Sequence, residues 1–199
     1  MDLDSDVLKP LGTFLVEYRE GDFLGHGLAY FSQVPILAAM FIIGFWFRAR
    51  DLHSPTMSVG LVLCVAVNLV LKNVFKQPRP YVHTHLKTYG MPSDHSQYMG
   101  FLATYVTGLI CTRCRPLRSR LMLFSYGSAV VGVWTLALLV CCCRVYLQYH
   151  SPEQVIVGCC VGSGLALVWL SIVLNVLEPY FSTIASWPLL NLILDVPHR

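Results

Sequence analysis

Five long stretches of this chain contain no Asp, Glu, Lys or Arg: residues 27–47, 54–71, 96–112, 121–143 and 154–177. A helix that crosses the hydrocarbon core of a bilayer needs about 20 mostly apolar residues, with about 17 as the lower limit. All five stretches reach or approach that length, and 96–112 is the marginal one. A soluble chain carries about 25% charged residues. This one carries 13%, against 55% hydrophobic residues. The expected fold is therefore all-α, a multi-span transmembrane helical bundle with five spans. A sixth apolar stretch, 179–194, is short and contains Pro188, so spanning, re-entry and lying along the interface all stay open for it. A single domain is expected over residues 1–199, with a polar segment at 1–23, spans and loops over 24–177 and an apolar segment at 178–199.

Arg and Lys bias sets orientation. Arg48 and Arg50 follow the first stretch, and Arg113, Arg115, Arg118 and Arg120 follow the third. Both loops fall on one side if every stretch crosses, and that side is read as cytosolic. The opposite face then holds the N-terminus, the loop 76–95 and the loop 144–153. Loop 76–95 also carries Lys76, Arg79 and Lys87, charges that suit an anionic ligand.

The net charge of +3 comes without a basic patch interleaved with aromatics, so no nucleic-acid partner is expected. Most of the eight Cys lie in or beside apolar runs and read as small packing residues. Cys111 and Cys114 form a lone C-x-x-C without a second pair at ligand spacing. His83 and His85 have no further ligands nearby, so no metal is expected there. Asn68, inside the second stretch, should bond a neighbouring helix. Trp46, Tyr98 and Trp187 read as interfacial belt residues.

Three segments carry the chemistry, all on the predicted non-cytosolic face. KNVFKQPRP places Lys72 at the end of the second stretch and Arg79-Pro80 beyond it. GMPSDHSQY places Ser93, Asp94 and His95 at the start of the third. CRVYLQYHSPEQ places Arg144 at the end of the fourth and His150 before the fifth. Arginine binds phosphate oxygens bidentately, and lysine adds a point charge. Free N–H groups at a helix start favour an anion. One histidine can attack phosphorus while a second serves as acid. Ser93 also suits a helix cap. Ser151, Pro152 and Gln154 together read as a capping box, so Gln154 serves either that helix or the His150 ring.

Lys-x6-Arg-Pro, Pro-Ser-x-His and Arg-x5-His, in this order, resemble the type 2 phosphatidic acid phosphatase superfamily. GMPSDHSQY, RVYLQYHSPEQV and VEYREGDFLGHGLAY are similar to its dolichyldiphosphatase branch. The resemblance implies a metal-free, cofactor-free hydrolase that takes dolichyl diphosphate to dolichyl phosphate through a phosphohistidine. The substrate partner would be a polyprenyl (dolichyl) diphosphate lipid in the bilayer. The implied compartment is the endoplasmic reticulum membrane with a lumenal site, in support of protein N-glycosylation. His150 would be the nucleophile and His95 the general acid. Lys72, Arg79, Ser93, Asp94 (through its backbone) and Arg144 would hold phosphate, with Gln154 orienting the nucleophile.

The chain departs from that superfamily in three places. Asp94 stands where Gly is usual and Ser is common in the dolichyl branch. Cys143 replaces the Ser that usually precedes the arginine. Gln154, shared with the dolichyl branch, stands where many relatives have Asp. A carboxylate at 94 should repel substrate unless it is turned away or paired with Lys or Arg. Two other readings stay open: a phosphatase for phosphatidic acid or another lipid monophosphate, and an inactive lipid-binding or scaffold protein. Oligomeric state is not legible.

Overall fold

The computed structural model describes residues 8–11, 14–49, 52–81, 88–113 and 120–186. The helices are α1 (Phe23–Phe31), α2 (Val34–Ala49), α3 (His53–Phe75), α4 (Asp94–Arg113), α5 (Arg120–Tyr146), α6 (Pro152–Ile172) and the short α7 (Phe181–Ala185). An antiparallel hairpin, β1 (Leu8–Leu11) with β2 (Phe14–Arg19), precedes them. It is an addition to the all-α expectation. Strands this short, with Glu17 and Arg19 among them, show too few alternations to be read as strands from sequence. Arg50, His83, His85, Lys87, Cys114, Arg115, Arg118 and Trp187 lie outside the described residues.

The first predicted span is a broken helix. Asp22 caps α1 by accepting from the Gly25 N–H at 2.8 Å. Pro35 has no N–H to give the preceding turn, so the helical ladder fails just upstream of it and restarts as α2. The break leaves the Ser32 side chain buried between α1 and α2.

Among the described residues, four helical runs are long and apolar enough to cross a membrane: Phe23–Arg48, His53–Phe75, Leu121–Tyr146 and Pro152–Ile184. The protein is a multi-pass membrane protein. The third predicted span, α4, has 20 residues but is not among those four. Its surroundings explain why. Ser96, Gln97, Met99, Gly100, Phe101, Leu102, Ala103 and Tyr105 are all buried, and α4 packs against α3, α5 and α6. A helix enclosed by other helices needs no apolar surface for lipid.

The most extensive packing is between α4 and α6. Their N-termini meet where the Ser93 N–H donates to the Gln154 carbonyl at 3.0 Å. Their far ends meet where Arg113 bonds Glu178 at 2.6 Å, beside His53 at the start of α3. The two helices thus run parallel, with α3 antiparallel to both. Gly158 and Gly162, one turn apart on α6, make the close approach possible. A Cβ at Gly162 would lie 2.0 Å from the Gln97 carbonyl oxygen, and one at Gly158 would lie 2.6 Å from that of Ser93. Small residues four apart are a membrane-helix packing device, because lipid offers no hydrophobic drive for helix association. Hydrogen bonds add specificity: Thr104 to Ser163 at 2.9 Å, Trp169 to the Thr56 carbonyl at 2.8 Å, and Trp134 to Thr107 at 3.1 Å.

Two smaller expectations have definite outcomes. Asn68 donates to the Gln97 side chain at 2.8 Å and to the Pro92 carbonyl at 3.3 Å, tying α3 to α4. Tyr98 departs from the belt reading and packs against the central core cluster. In the apolar stretch 179–194, the described residues prolong the fifth span through a π turn (Val173–Leu177), a 3-10 turn (Glu178–Tyr180) and α7.

Candidate active site

Three helix ends and two loops converge at one end of the bundle. Lys72 lies in the last turn of α3, Asp94 and His95 open α4, and Arg144 lies in the last turn of α5. His150 sits in the short link to α6, and Arg79 in the loop after α3. The residues given phosphate chemistry from sequence, Lys72, Arg79, Ser93, Asp94, His95, Arg144, His150 and Gln154, meet here. Lys72 is buried rather than reaching to the interface.

His150 is held from both sides. Its Nδ1 is 2.9 Å from the Gly90 carbonyl and 3.2 Å from Gln154 Oε1. A carbonyl can only accept, so Nδ1 carries the proton and the lone pair is on Nε2. That lone pair faces the site. Arg79 Nη1 lies 3.1 Å from it, and Asp94 Oδ1 lies 3.3 Å from it. Burial pushes the His150 imidazole down from its ordinary value to about 4, with Asp94 pulling it back up and Arg144 and Arg79 pressing it further down. The ring is neutral near pH 7, as a nitrogen nucleophile must be.

Gln154 does both jobs left open by the sequence. The Ser151 hydroxyl accepts from the Gln154 N–H, and Gln154 Oε1 accepts from the Ser151 N–H, a complete capping box. The same oxygen faces His150. Its amide nitrogen donates to the Pro78 carbonyl at 2.9 Å and to Gln77 at 3.1 Å, which fixes the direction of the amide. Gly90 could not be found from the motifs. Its role comes from its carbonyl, and a Cβ there would sit 2.6 Å from the Gln154 side chain.

The cations are equally fixed. Arg79 donates to the Thr88 carbonyl, the Thr88 hydroxyl and the Tyr149 carbonyl, each at 3.1 Å. Arg144 donates to Ser32 at 2.8 Å, and its guanidinium carbon lies 4.0 Å from the centre of the Tyr149 ring. Its Nε is buried and has no hydrogen-bond partner among the described residues, a donor left for an incoming anion. The Glu17 N–H donates to the Tyr149 hydroxyl at 2.7 Å. The hairpin thereby braces Tyr149, and Tyr149 braces Arg144. Ser32, Tyr149, Thr88 and the hairpin all escaped the sequence reading: Ser32 and the hairpin act through contacts more than 100 positions distant, and Thr88, nine positions from Arg79, lies in a loop with no periodic pattern to read.

Ser93 is fully buried and caps α4: its hydroxyl lies 3.5 Å from the Ser96 N–H and accepts from the Ser96 hydroxyl at 3.1 Å. Asp94 is not turned away. Its carboxylate stands between the two imidazoles, 3.3 Å from His150 Nε2 and 3.3 Å from His95 Nδ1, with Lys72 Nζ at 3.8 Å. It is paired, as the sequence required, but with the same groups that would receive a phosphate. Cys143 is buried beside Arg144, where its sulfur offers only a weak hydrogen bond.

Two opposed imidazoles in a cradle of three cations can transfer a phosphoryl group. The comparisons with known proteins agree. Residues 55–178 match the PAP2 superfamily. The Dolichyldiphosphatase 1 of Mus musculus is 38% identical over 186 residues, covering 91% of this chain and 78% of that protein. This chain belongs to the PAP2 superfamily, in its dolichyldiphosphatase branch. The Dolichyldiphosphatase of Saccharomyces cerevisiae is 36% identical over 82% of this chain and 70% of its own length. Among solved structures, a transmembrane PAP2 type phosphatidylglycerolphosphate phosphatase from Bacillus subtilis shares the fold. Its TM-score is 0.65 at 17% identity, over 79% of this chain and 80% of that one. The PAP2 match begins at the start of α3, so the hairpin and the broken first helix precede the matched core.

Proposed function

We propose that this protein hydrolyses a polyprenyl diphosphate, dolichyl diphosphate foremost, to the lipid monophosphate and inorganic phosphate. The observation that carries the reading is the His150 ring, locked by the Gly90 carbonyl with its Nε2 lone pair facing the cationic cradle. The terminal phosphate rests on Arg79, Arg144 and Lys72, with the free Arg144 Nε as an unused donor. His150 Nε2 bonds to the terminal phosphorus as the anhydride P–O bond breaks, and the departing lipid phosphate takes a proton from His95. Water then attacks phosphorus, His95 accepts its proton, and the N–P bond breaks to release phosphate. Cations fixed before the reaction stabilise charge on the equatorial oxygens without reorganising.

The site lies at the bundle end opposite Arg48 and Arg113. The Arg-rich stretches of sequence that adjoin Arg48 and Arg113 are of cytosolic type, which supports a lumenal site in the endoplasmic reticulum membrane. There the enzyme recycles the lipid carrier for N-glycosylation. The test is phosphate release from dolichyl diphosphate and from phosphatidic acid, with chelator present. Preference for the diphosphate is expected, and equal or greater turnover of phosphatidic acid overturns the substrate assignment.

Two results bear on the site's electrostatics. Only the unprotonated His150 ring can attack, and its proton is held weakly. The acid limb of kcat/KM for the free enzyme should therefore lie well below pH 6.5, towards 4; a limb at 6.5 or above refutes this. Asp94 competes with substrate for Lys72 and both histidines. Asp94→Gly should lower KM by about three- to tenfold, as expected for removing a like charge at contact distance. A large loss of kcat would instead assign the carboxylate a positive role.

A further inference from the structure

Tyr149, next in sequence to the His150 nucleophile, touches two of the three cations in the cradle. Its ring lies 4.0 Å from the Arg144 guanidinium carbon, and its carbonyl accepts from Arg79 Nη1 at 3.1 Å. Its N–H donates to the Arg144 carbonyl at 3.0 Å, as does the His150 N–H at 3.2 Å, so the link to α6 folds back on Arg144. Its hydroxyl accepts from the Glu17 N–H of β2 at 2.7 Å. The side chain is buried in a small core separate from that of the bundle, with Leu11 and Val16 of the hairpin, Ala29 of α1 and Leu147. Gln148, exposed between Leu147 and Tyr149, holds a φ of +57°, in the left-handed region that residues other than glycine seldom enter. A turn there lets both neighbours reach this second core.

A long arginine side chain stabilises a developing charge only if its guanidinium is aimed before the reaction. The Tyr149 ring lies against the Arg144 guanidinium and the Ser32 hydroxyl holds Nη1 at 2.8 Å, while Nε is left for the anion. We infer that Tyr149 is a positioning residue for phosphoryl transfer: it aims Arg144, and the N-terminal hairpin serves catalysis by anchoring its hydroxyl. The inference rests on the proposed phosphatase activity. The matched family region begins at residue 55, so the hairpin and Ser32 are parts of the working site that lie ahead of it.

The experiment measures kcat and KM for dolichyl diphosphate in detergent micelles, with Ki for orthovanadate and for inorganic phosphate. Orthovanadate takes up the five-coordinate geometry of the transition state, and phosphate is the released product. Tyr149→Phe keeps the ring and loses the anchor, so kcat should fall about threefold, as for one lost hydrogen bond. Tyr149→Leu loses the ring as well, so kcat should fall about thirtyfold, as for a desolvated cation–π contact. KM and the phosphate Ki should stay within about threefold of wild type, while the orthovanadate Ki rises as kcat falls. In an Arg144→Lys background, Tyr149→Leu should cost less than about threefold, because the group it aims is gone. Tyr146→Phe is the control: its hydroxyl reaches Asp22 at 3.4 Å, another tie to the N-terminal unit but one remote from phosphate, and it should match wild type. The inference is overturned if Tyr149→Phe, the variant closest to the native fold, keeps wild-type kcat, or if Tyr146→Phe loses as much. It is also overturned if both Ki values worsen equally, or if Tyr149→Leu costs as much beside Arg144→Lys as alone. If wild type releases no phosphate from dolichyl diphosphate, the substrate assignment fails instead, and the same comparison is made on the lipid phosphate it does hydrolyse.

Discussion

His150→Ala should reduce phosphate release from dolichyl diphosphate by at least about 10³-fold, because no other side chain can supply the attacking nitrogen. The substitution removes the Nε2 that faces Arg79 and Asp94, and also the ring that satisfies the Gly90 carbonyl. His95→Ala should fail differently. The departing lipid phosphate is a fair leaving group, with a second pKa of about 6 in comparable phosphate esters, so loss of the acid slows the first step modestly. Loss of the base slows attack by water more. A covalent phosphoenzyme should therefore accumulate in His95→Ala and be absent in His150→Ala. Quenching in alkali, where phosphohistidine survives, followed by detection of protein-bound phosphate reads both. Turnover above a tenth of wild type in His150→Ala would remove it as nucleophile. Phosphoenzyme in that variant would place the covalent bond elsewhere.

Gly162→Val should disrupt the bundle as well as the activity. Its first carbon would lie 2.0 Å from the Gln97 carbonyl oxygen and 2.9 Å from the Phe101 nitrogen, both backbone atoms of α4. Neither atom can move without moving the helix, so α4 and α6 must separate. The same helix pair holds Ser93 against Gln154 and sets the distance from Asp94 to His150. The expected cost is about 3 kcal/mol or more, at the upper end for overpacking, because backbone rather than a flexible side chain is in the way. A fall in thermal midpoint in detergent, together with lost phosphate release, is the readout. Gly164→Val is the control, since nothing lies within 4 Å of a Cβ there. Equal stability of the two variants would refute the role assigned to Gly162.

The long uncharged runs made a membrane bundle legible because hydrocarbon forces every backbone polar group into a helix, and such runs have few other uses. The motifs made the phosphate chemistry legible for a related reason: a phosphoryl group demands paired histidines and several cations, and few other ligands do. Lys72, Arg79, Asp94, His95, Arg144 and His150 are spread over 79 positions of chain, yet their spacing to helix ends already put them on one face.

What sequence could not decide is how each is held. The hairpin that braces Tyr149, the Ser32 hydroxyl on Arg144 and the Gly90 carbonyl that sets the His150 tautomer are partners 60 to 132 positions distant in the chain. No local pattern specifies such pairs. Sequence likewise left α4 the marginal span, because its polar residues face protein instead of lipid. The inward aim of Asp94 depended on rotamer and neighbours, which its position in a motif does not fix. Sequence chose the groups and gathered them at one end of the bundle. Packing between helices chose their distances, because contact geometry is a property of the assembled bundle and not of any one segment.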